Sequence, residues 1–286
     1  MLGFSGAINH SGLDEVIKSR VKKSNFGVQT LENKISYFEN KNLSTCIFNQ
    51  EQGIDSNVDN ELVCIAIGNI YSRNKEIFSL SKEITKIYRE KGISHCCTQN
   101  GLYSFIIYDD LKRLFFLGVD QNSVIQTYFS HFRDTLFFSW HIPQISYLSN
   151  HNLKIDEDHF FRTIFAGPLG LNSSTPIKNV KALYGGSYIK FKENKLKQYK
   201  ISPFYYEPKF DLSALEHIDR IKRSLLNAIK MRISNIRNIA IGISGGLDSR
   251  ILLGLISKLD NIKINGYTYG CKGFVESKVA QEIMEY

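Results

Sequence analysis

The chain has only five cysteines, Cys46, Cys64, Cys96, Cys97 and Cys271, an odd number with no Cys-x-x-Cys pair among them. That excludes a disulfide framework and a structural zinc built on paired thiolates, and it fits a reducing compartment. No apolar run approaches the ~18 residues of a membrane-spanning helix. The opening "MLGFSGAINHSG" has neither the basic start nor the long apolar stretch of an export signal, so a cytoplasmic location is expected. Internal repeats and low-complexity tracts are absent. So is the G-x-x-x-x-G-K-[ST] loop with its lysine, which removes kinase-like transfer of a γ-phosphoryl group from consideration.

Apolar residues are plentiful. They make up 43% of 286 residues, enough for a full core and a size more natural for two domains than for one. The net charge is +8, but the excess is spread over lysines set among Asn, Ile, Tyr and Phe. The densest basic run, "IKFKENKLKQYK" from Ile189 to Lys200, alternates as a solvated hairpin would, so nucleic acid is disfavoured as a partner.

From Ile35 to about Tyr199 the pattern is that of strands and hairpins. "LVCIAIGNIY" (Leu62 to Tyr71), "GLYSFIIYDDLKRLFFLGVD" (Gly101 to Asp120) and "TYFSHFRDTLFFSW" (Thr127 to Trp140) predict antiparallel pairs, the second turning at Asp-Asp-Leu-Lys and the third at His131 to Asp134. Ile77, Leu80, Ile84 and Ile87 at helical spacing, with Gly92 as a stop, predict a helix over Asn74 to Lys91, and a second is expected near Asp156 to Ala166. After Pro203 and Pro208 the texture changes. Ser213 and Glu216 form a capping-box pattern before a stripe of Ile218, Ile221, Leu225, Ile229 and Ile233, and strand, loop, helix and strand follow from Asn238 to Tyr269. That alternation is the pattern of a parallel α/β domain, which places the domain boundary near Tyr205 to Leu212.

The informative stretch is "IAIGISGGLDSRILLGLI", Ile239 to Ile256. A strand ending at Ile243, then Ser244, Gly245, Gly246, Leu247, Asp248 and Ser249, then a helix, directs backbone N–H groups and a helix N-terminus to one edge of a sheet. Such a loop binds anions. The glycines let phosphate oxygens approach the backbone, Ser244 and Ser249 offer hydroxyls, and Asp248 offers a hard oxygen ligand for magnesium. A plain strand-to-helix turn would also permit Gly-Gly, but the complete hexad in this context favours phosphate.

"SGGLDS" resembles the pyrophosphate loop of N-type ATP pyrophosphatases, and its setting is similar to that in asparagine synthetases. "FSGAIN" at Phe4, "IAIGNIY" at Ile65, "NGLYSFIIYDDLKRLFFLGVD" at Asn100 and "VKALYGGSYIKF" at Val180 match, in order, that family's N-terminal strand, glutamine-pocket strand, central hairpin and last strands. The resemblance spans almost the whole chain. It implies an α+β, N-terminal-nucleophile-type layered sheet domain (αββα) over residues 1–204, then over 205–286 the start of an α/β parallel-sheet nucleotide-binding domain of ATP-pyrophosphatase type. It also implies ATP and Mg2+ as cofactors: Ser244, Gly245, Gly246, Asp248 and Ser249 would carry pyrophosphate and magnesium, and the backbone at Ile243 and Tyr269 would flank the adenine. Glu276 stands where the family often has an acid at the start of the next helix, and a solvent-facing helix acid is an equal reading of it.

The departures from the family are as specific. A glutaminase of this type needs an N-terminal cysteine whose thiolate attacks glutamine and whose α-amine acts as base, and this chain has Leu2. No catalytic residue is therefore assigned. The family's pocket arginine has no counterpart in "YFENKNLSTCIFNQ", its Asn-Gly-Glu reads Ile67, Gly68, Asn69, and its Arg-Asp reads Val119, Asp120. Cys46 and Cys64 are expected to be buried apolar residues rather than replacement nucleophiles. After Tyr269 the family's further strands and second magnesium acid are missing, so a partial chain is expected. The expected function is an ATP-dependent, amide-forming ligase acting on a small-molecule carboxylate with ammonia or an amine as donor, without a membrane partner and compatible with a homodimer. The alternative is a non-catalytic remnant or partner subunit with half a nucleotide site. Sulfur transfer to tRNA would want paired cysteines, where only the isolated Cys271 is present.

Overall fold

A computed structural model describes residues 3–24, 34–49, 54–58, 62–72, 77–150, 154–167, 173–201, 207–208, 210–234, 236–270 and 275–285. It divides into two compact units, Met1–Tyr205 and Tyr206–Tyr286. Leu2 and Cys271 lie outside the described residues.

The first unit is built in chain order from β1 (Gly3–Ile8), α1 (Glu15–Lys23), β2 (Lys34–Glu39), β3 (Leu43–Asn49), β4 (Ile54–Val58), β5 (Leu62–Ile70), α2 (Leu80–Lys91) and α3 (Ile93–Cys96). The hairpins β6 (Gly101–Asp109) with β7 (Leu114–Val119) and β8 (Tyr128–Phe132) with β9 (Thr135–Ser139) follow, then α4 (Ile142–Ser149), α5 (Glu157–Ala166), β10 (Lys181–Ala182), β11 (Ser187–Lys192) and β12 (Lys195–Lys200). Two six-stranded antiparallel sheets result, ordered β10-β8-β9-β1-β3-β2 and β12-β11-β7-β6-β5-β4.

Three apolar clusters stack these sheets into four layers. Between the sheets lie Phe4, Ile8 and Phe138 of the first with Ile65, Ile106, Phe115, Ile189 and Phe191 of the second. The opposite faces of the same strands point the other way, as period-2 alternation requires. Cys64, Phe105, Ile107 and Phe116 meet Leu80, Ile84 and Ile87 of α2. Ala7, Cys46 and Phe137 meet Val21 of α1 and Ile145 and Leu148 of α4. Strands buried on both faces explain why β5 reads as an almost unbroken apolar run, LVCIAIGNI. This is an α+β, αββα layering of two antiparallel sheets between helices, the arrangement that the resemblance implies.

Several local expectations are corrected. Helix α2 begins at Leu80, where Ser79 adopts extended backbone and its hydroxyl accepts from Lys82 N to cap it, so Ile77 to Ser79 of the expected helix are not helical and its start at Asn74 lies outside the described residues. Helices α1 and α4 were not legible: α1 buries Val21 fully and is otherwise mostly polar, and α4 is eight residues long. The turns fall at Asp110–Arg113 and Arg133–Asp134, with Arg113 and Arg133 taking φ of 46° and 45°.

The second unit holds α6 (Ala214–Ile233), β13 (Asn238–Gly242), α7 (Leu247–Ile256), β14 (Lys263–Tyr267) and α8 (Val275–Glu285). Ser213 and Glu216 cap α6 reciprocally, as the box pattern predicts. β13 and β14 pair in parallel from Asn238↔Lys263 to Gly242↔Tyr267, and α7 makes the crossover. Ile229, Ile241, Ile243, Leu255, Ile256 and Ala280 form the core of this unit. The stripe on α6 is only partly covered: Ile229 is buried, while Ile218 and Ile221 are each 59% exposed. Helical period specifies which residues share a face, not what packs on it.

Candidate functional site

The candidate site lies in the second unit, where β13 gives way to α7. Ile243 anchors the loop from below. Its side chain is buried in the core, and its N–H donates to Tyr267 O at 2.8 Å, continuing the parallel ladder one residue past β13. That N–H is therefore committed, and only the carbonyl of Ile243 remains for a ligand.

Ser244 and Ser249 lace the loop to the first turn of α7. Ser244 N donates to Ser249 Oγ at 3.1 Å, Gly246 N donates to Ser244 Oγ at 3.2 Å, and Ser249 Oγ donates to Ser244 O at 3.1 Å. Ser249 thus uses its proton on the loop itself. The two hydroxyl oxygens are 3.2 Å apart, so Ser244 holds a proton for which a ligand can compete with Ser249.

Helix α7 has Gly246 as its N-cap and no side-chain cap, which leaves the amides of its first turn open at the positive end of the helix. Asp248 stands in that turn, exposed and without a hydrogen bond or ion pair to a described residue. A Cβ on Gly245 would come within 3.2 Å of Glu276 Cα and Cγ, so the first turn of α8 packs against the loop where the backbone is thinnest. This brings Glu276 beside Gly245, a proximity for which the sequence carries no local signal. Sequence reasoning also missed Arg250, whose Nε donates to Gly246 O at 3.2 Å. A cavity of about 140 Å3 adjoins the strand ends, lined by Ile243, Gly266, Tyr267, Thr268, Ala280, Gln281 and Met284. Tyr269 is 92% exposed beyond β14 and does not line it.

An anion fits this arrangement: uncapped helix amides, a glycine approach and a serine proton converge on exposed space. A hard divalent cation fits it through Asp248. No group of three or more His, Cys, Asp or Glu able to hold a metal occurs among the described residues. Magnesium needs no such cage, because it is commonly held by one or two carboxylates together with phosphate oxygens and water.

In the first unit, three of the positions read against the family's glutamine pocket, Ile67, Val119 and Asp120, are buried. Asp120 is fully buried and accepts from Tyr103 N at 2.9 Å and Asn122 N at 2.7 Å, which fixes the end of β7. Val119 and Ile67 are buried in the inter-sheet core, and Asn69 is exposed. The described cysteines are equally withdrawn from chemistry. Burial pushes the Cys46 thiol up to about 11, against the opposing pull of hydrogen bonds with Ser24 and Tyr37, and pushes Cys96 up to about 12. Burial raises Cys97 as well, and Cys64 is fully buried. A thiol held far above neutral pH is not a nucleophile.

Two family models match the chain: a glutamine amidotransferase domain over residues 78–205 and an asparagine synthase domain over residues 220–286. A protein of Methanocaldococcus jannaschii that bears the name of a glutamine-hydrolysing asparagine synthetase is 24% identical over 249 residues, 79% of this chain and 46% of that protein. The amidase chyE of Penicillium rubens is 22% identical over 218 residues, 70% of this chain and 31% of the amidase. The chain thus spans less than half the length of these curated relatives. Among solved structures, an allosteric regulatory enzyme of purine biosynthesis is similar at a TM-score of 0.46 and 10% identity, covering 98% of this chain and 69% of that one. Glutamine phosphoribosylpyrophosphate amidotransferase of B. subtilis gives 0.44 and 9%, covering 92% and 65%.

Proposed function

From the premise that the chain is asparagine-synthetase-like, an amidotransferase-type domain followed by asparagine-synthase sequence, we propose that it is an ATP-dependent, amide-forming ligase that does not hydrolyse glutamine. ATP supplies activation of a small-molecule carboxylate at the α-phosphate with pyrophosphate as leaving group, after which ammonia or an amine displaces AMP and forms the amide. In this reading residues 1–204 are a structural amidotransferase-like domain and 205–286 part of the synthetase domain.

The observation that carries the reading is the uncapped N-terminus of α7 behind Gly245 and Gly246, with the free carboxylate of Asp248 in its first turn. The chain's own groups do the following. The amides of the first turn and the Ser244 hydroxyl hold phosphate oxygens, and Gly245 and Gly246 let them reach the backbone. Asp248 binds magnesium, which neutralises the phosphate charge. The Ile243 carbonyl and the segment at Tyr269 border the nucleotide base. Glu276 stands near enough to the loop to add a second carboxylate.

Calorimetric titration with ATP tests this. Binding is expected in the presence of magnesium, with a marked loss on addition of EDTA, and AMP should bind more weakly because it lacks the pyrophosphate that the loop holds. Equal affinity for AMP and ATP would remove the phosphate chain from this loop.

The proposed loss of glutaminase activity rests on Leu2, which supplies no thiolate, and on the thiols of Cys46 and Cys96, which burial pushes well above their ordinary range. No glutamate should be released from glutamine above a protein-free blank. Leu2→Cys alone should not restore release, because Ile67, Asn69 and Val119 do not carry the side chains that the family's pattern has at those pocket positions. Turnover by the unaltered chain would overturn this part of the proposal.

A further inference from the structure

The second sheet ends on β12, and the side of that strand turned away from β11 has no partner strand among the described residues. The turn joining the two strands, Glu193 and Asn194, has φ of 51° and 56°, the geometry of a two-residue hairpin. In such a hairpin the residues flanking the turn exchange both backbone hydrogen bonds, and closed pairs recur at every second position. Lys192↔Lys195, Lys190↔Lys197 and Tyr188↔Tyr199 are then the closed pairs, and the N–H and C=O groups of Leu196, Gln198 and Lys200 point outward. The hairpin is also fixed in place. Asn194 Oδ1 accepts from His10 N at 2.9 Å, Asn194 Nδ2 donates to Ser11 Oγ at 3.1 Å, and the His10 ring stacks on Phe191 at 5.2 Å. An open edge held rigid is a template for another strand.

The side chains specify the chemistry of that strand. On the outer face, Lys190 and Lys192 stand directly opposite Lys197 and Lys195, two like-charge pairs with a single acid contact among the described residues, Lys192 to Glu193 at 4.0 Å. Directly opposed like charges destabilise a sheet, so the arrangement calls for an anion. Lysines on an edge strand do deter pairing between two copies of the same edge, which accounts for Lys195 and Lys197. It does not account for Lys190 and Lys192, which lie one strand in. On the inner face, half-buried Leu196 packs against the inter-sheet core, and Gln198 Nε2 is buried without an acceptor among the described residues. A buried donor left unpaired is costly, and an incoming side chain beside it can supply the acceptor.

We propose that the open edge of β12 takes up an extended acidic segment of another protein as a seventh strand of the second sheet. Carboxylates at every second residue lie opposite Lys195 and Lys197, and apolar or carbonyl-bearing side chains turn inward beside Leu196 and Gln198. Same-face residues in a strand are about 6.6–6.8 Å apart, so alternating acids match alternating lysines in register. A second copy of β12 is ruled out as occupant, since it would bring its own Lys195 and Lys197, backed by Lys190 and Lys192 of its β11, to the same face.

Fluorescence anisotropy of a labelled six-residue peptide alternating glutamate and valine, titrated with the full 286-residue chain, tests the proposal. In the proposed register the valines are the residues hydrogen-bonded to β12. Saturable binding is expected, weakened at least tenfold when the valine nitrogens are methylated, a change that leaves every charge and the protein itself untouched. The double substitution Lys195→Glu and Lys197→Glu should transfer the preference to the alternating lysine–valine peptide. Three results would overturn the proposal: no binding of the glutamate–valine peptide, equal binding of its N-methylated form, or equally tight binding of a single-stranded oligonucleotide of the same charge, which would make the face a non-specific polyanion patch.

Discussion

Asp248→Asn is expected to weaken magnesium-dependent ATP binding tenfold or more, a loss of ~1.4 kcal/mol or greater, while the far-ultraviolet circular dichroism stays unchanged. The side chain stands exposed in the first turn of α7 and makes no contact with a described residue that the substitution could break. Asparagine keeps the size and hydrogen-bonding shape of aspartate, and it serves as well in a turn or at a helix start. What it removes is the negative charge, which magnesium requires of a hard oxygen ligand. The lost attraction to the helix dipole is worth at most ~0.3–1 kcal/mol of stability and does not depend on nucleotide. The magnesium dependence therefore separates the two roles. Titrating both proteins with ATP, with and without magnesium, decides it. If the two bind ATP–magnesium equally, Asp248 is a turn residue and the metal is held elsewhere.

Gly68→Ala should lower the stability of the first unit by about 3 kcal/mol or more, the sum of backbone strain and overpacking. Gly68 lies on β5 with φ of 100°, which an L-residue rarely adopts. A Cβ there would also fall well inside contact distance of Leu102 O on the neighbouring strand β6, and within 2.8 Å of Ile125 Cδ1. The carbonyl is held by the β5–β6 ladder and cannot retreat without breaking it. Gly92→Ala is the control. It has a similar φ of 84° at the end of α2, but a Cβ there meets nothing within 4 Å, so it should show strain alone, about 1 kcal/mol. For a unit of this size the larger loss corresponds to a fall in Tm of about 6–12 °C. Equal melting temperatures for the two variants would mean that β5 and β6 do not approach as closely at Gly68 as the structure has it.

The sequence by itself determined the elements whose signals are local. The hairpins from Gly101 to Ser139 announce themselves through alternation and turn residues, Ser213 and Glu216 announce the start of α6, and the hexad Ser244 to Ser249 between an apolar strand and an apolar helix announces an anion loop. Hydrogen bonds across two to five residues carry this information, so reading along the chain recovers it. Leu2 is of the same kind: the absence of a thiol at that position follows from residue identity alone.

Only the tertiary structure decided what depends on contact between distant segments. Packing assigned β5 a face to each of two apolar layers, placed Glu276 against Gly245 across 31 positions of sequence, and made Asp120 a buried acceptor for Tyr103. It also placed the hairpin that the alternation of "IKFKENKLKQYK" predicts at the edge of a sheet, with Lys190 and Lys192 of β11 directly opposite Lys197 and Lys195 of β12. The physical reason is common to all four cases. Periodicity fixes which side chains share a face, but the neighbour opposite that face is chosen by strand order and layer stacking, and no residue type encodes those locally.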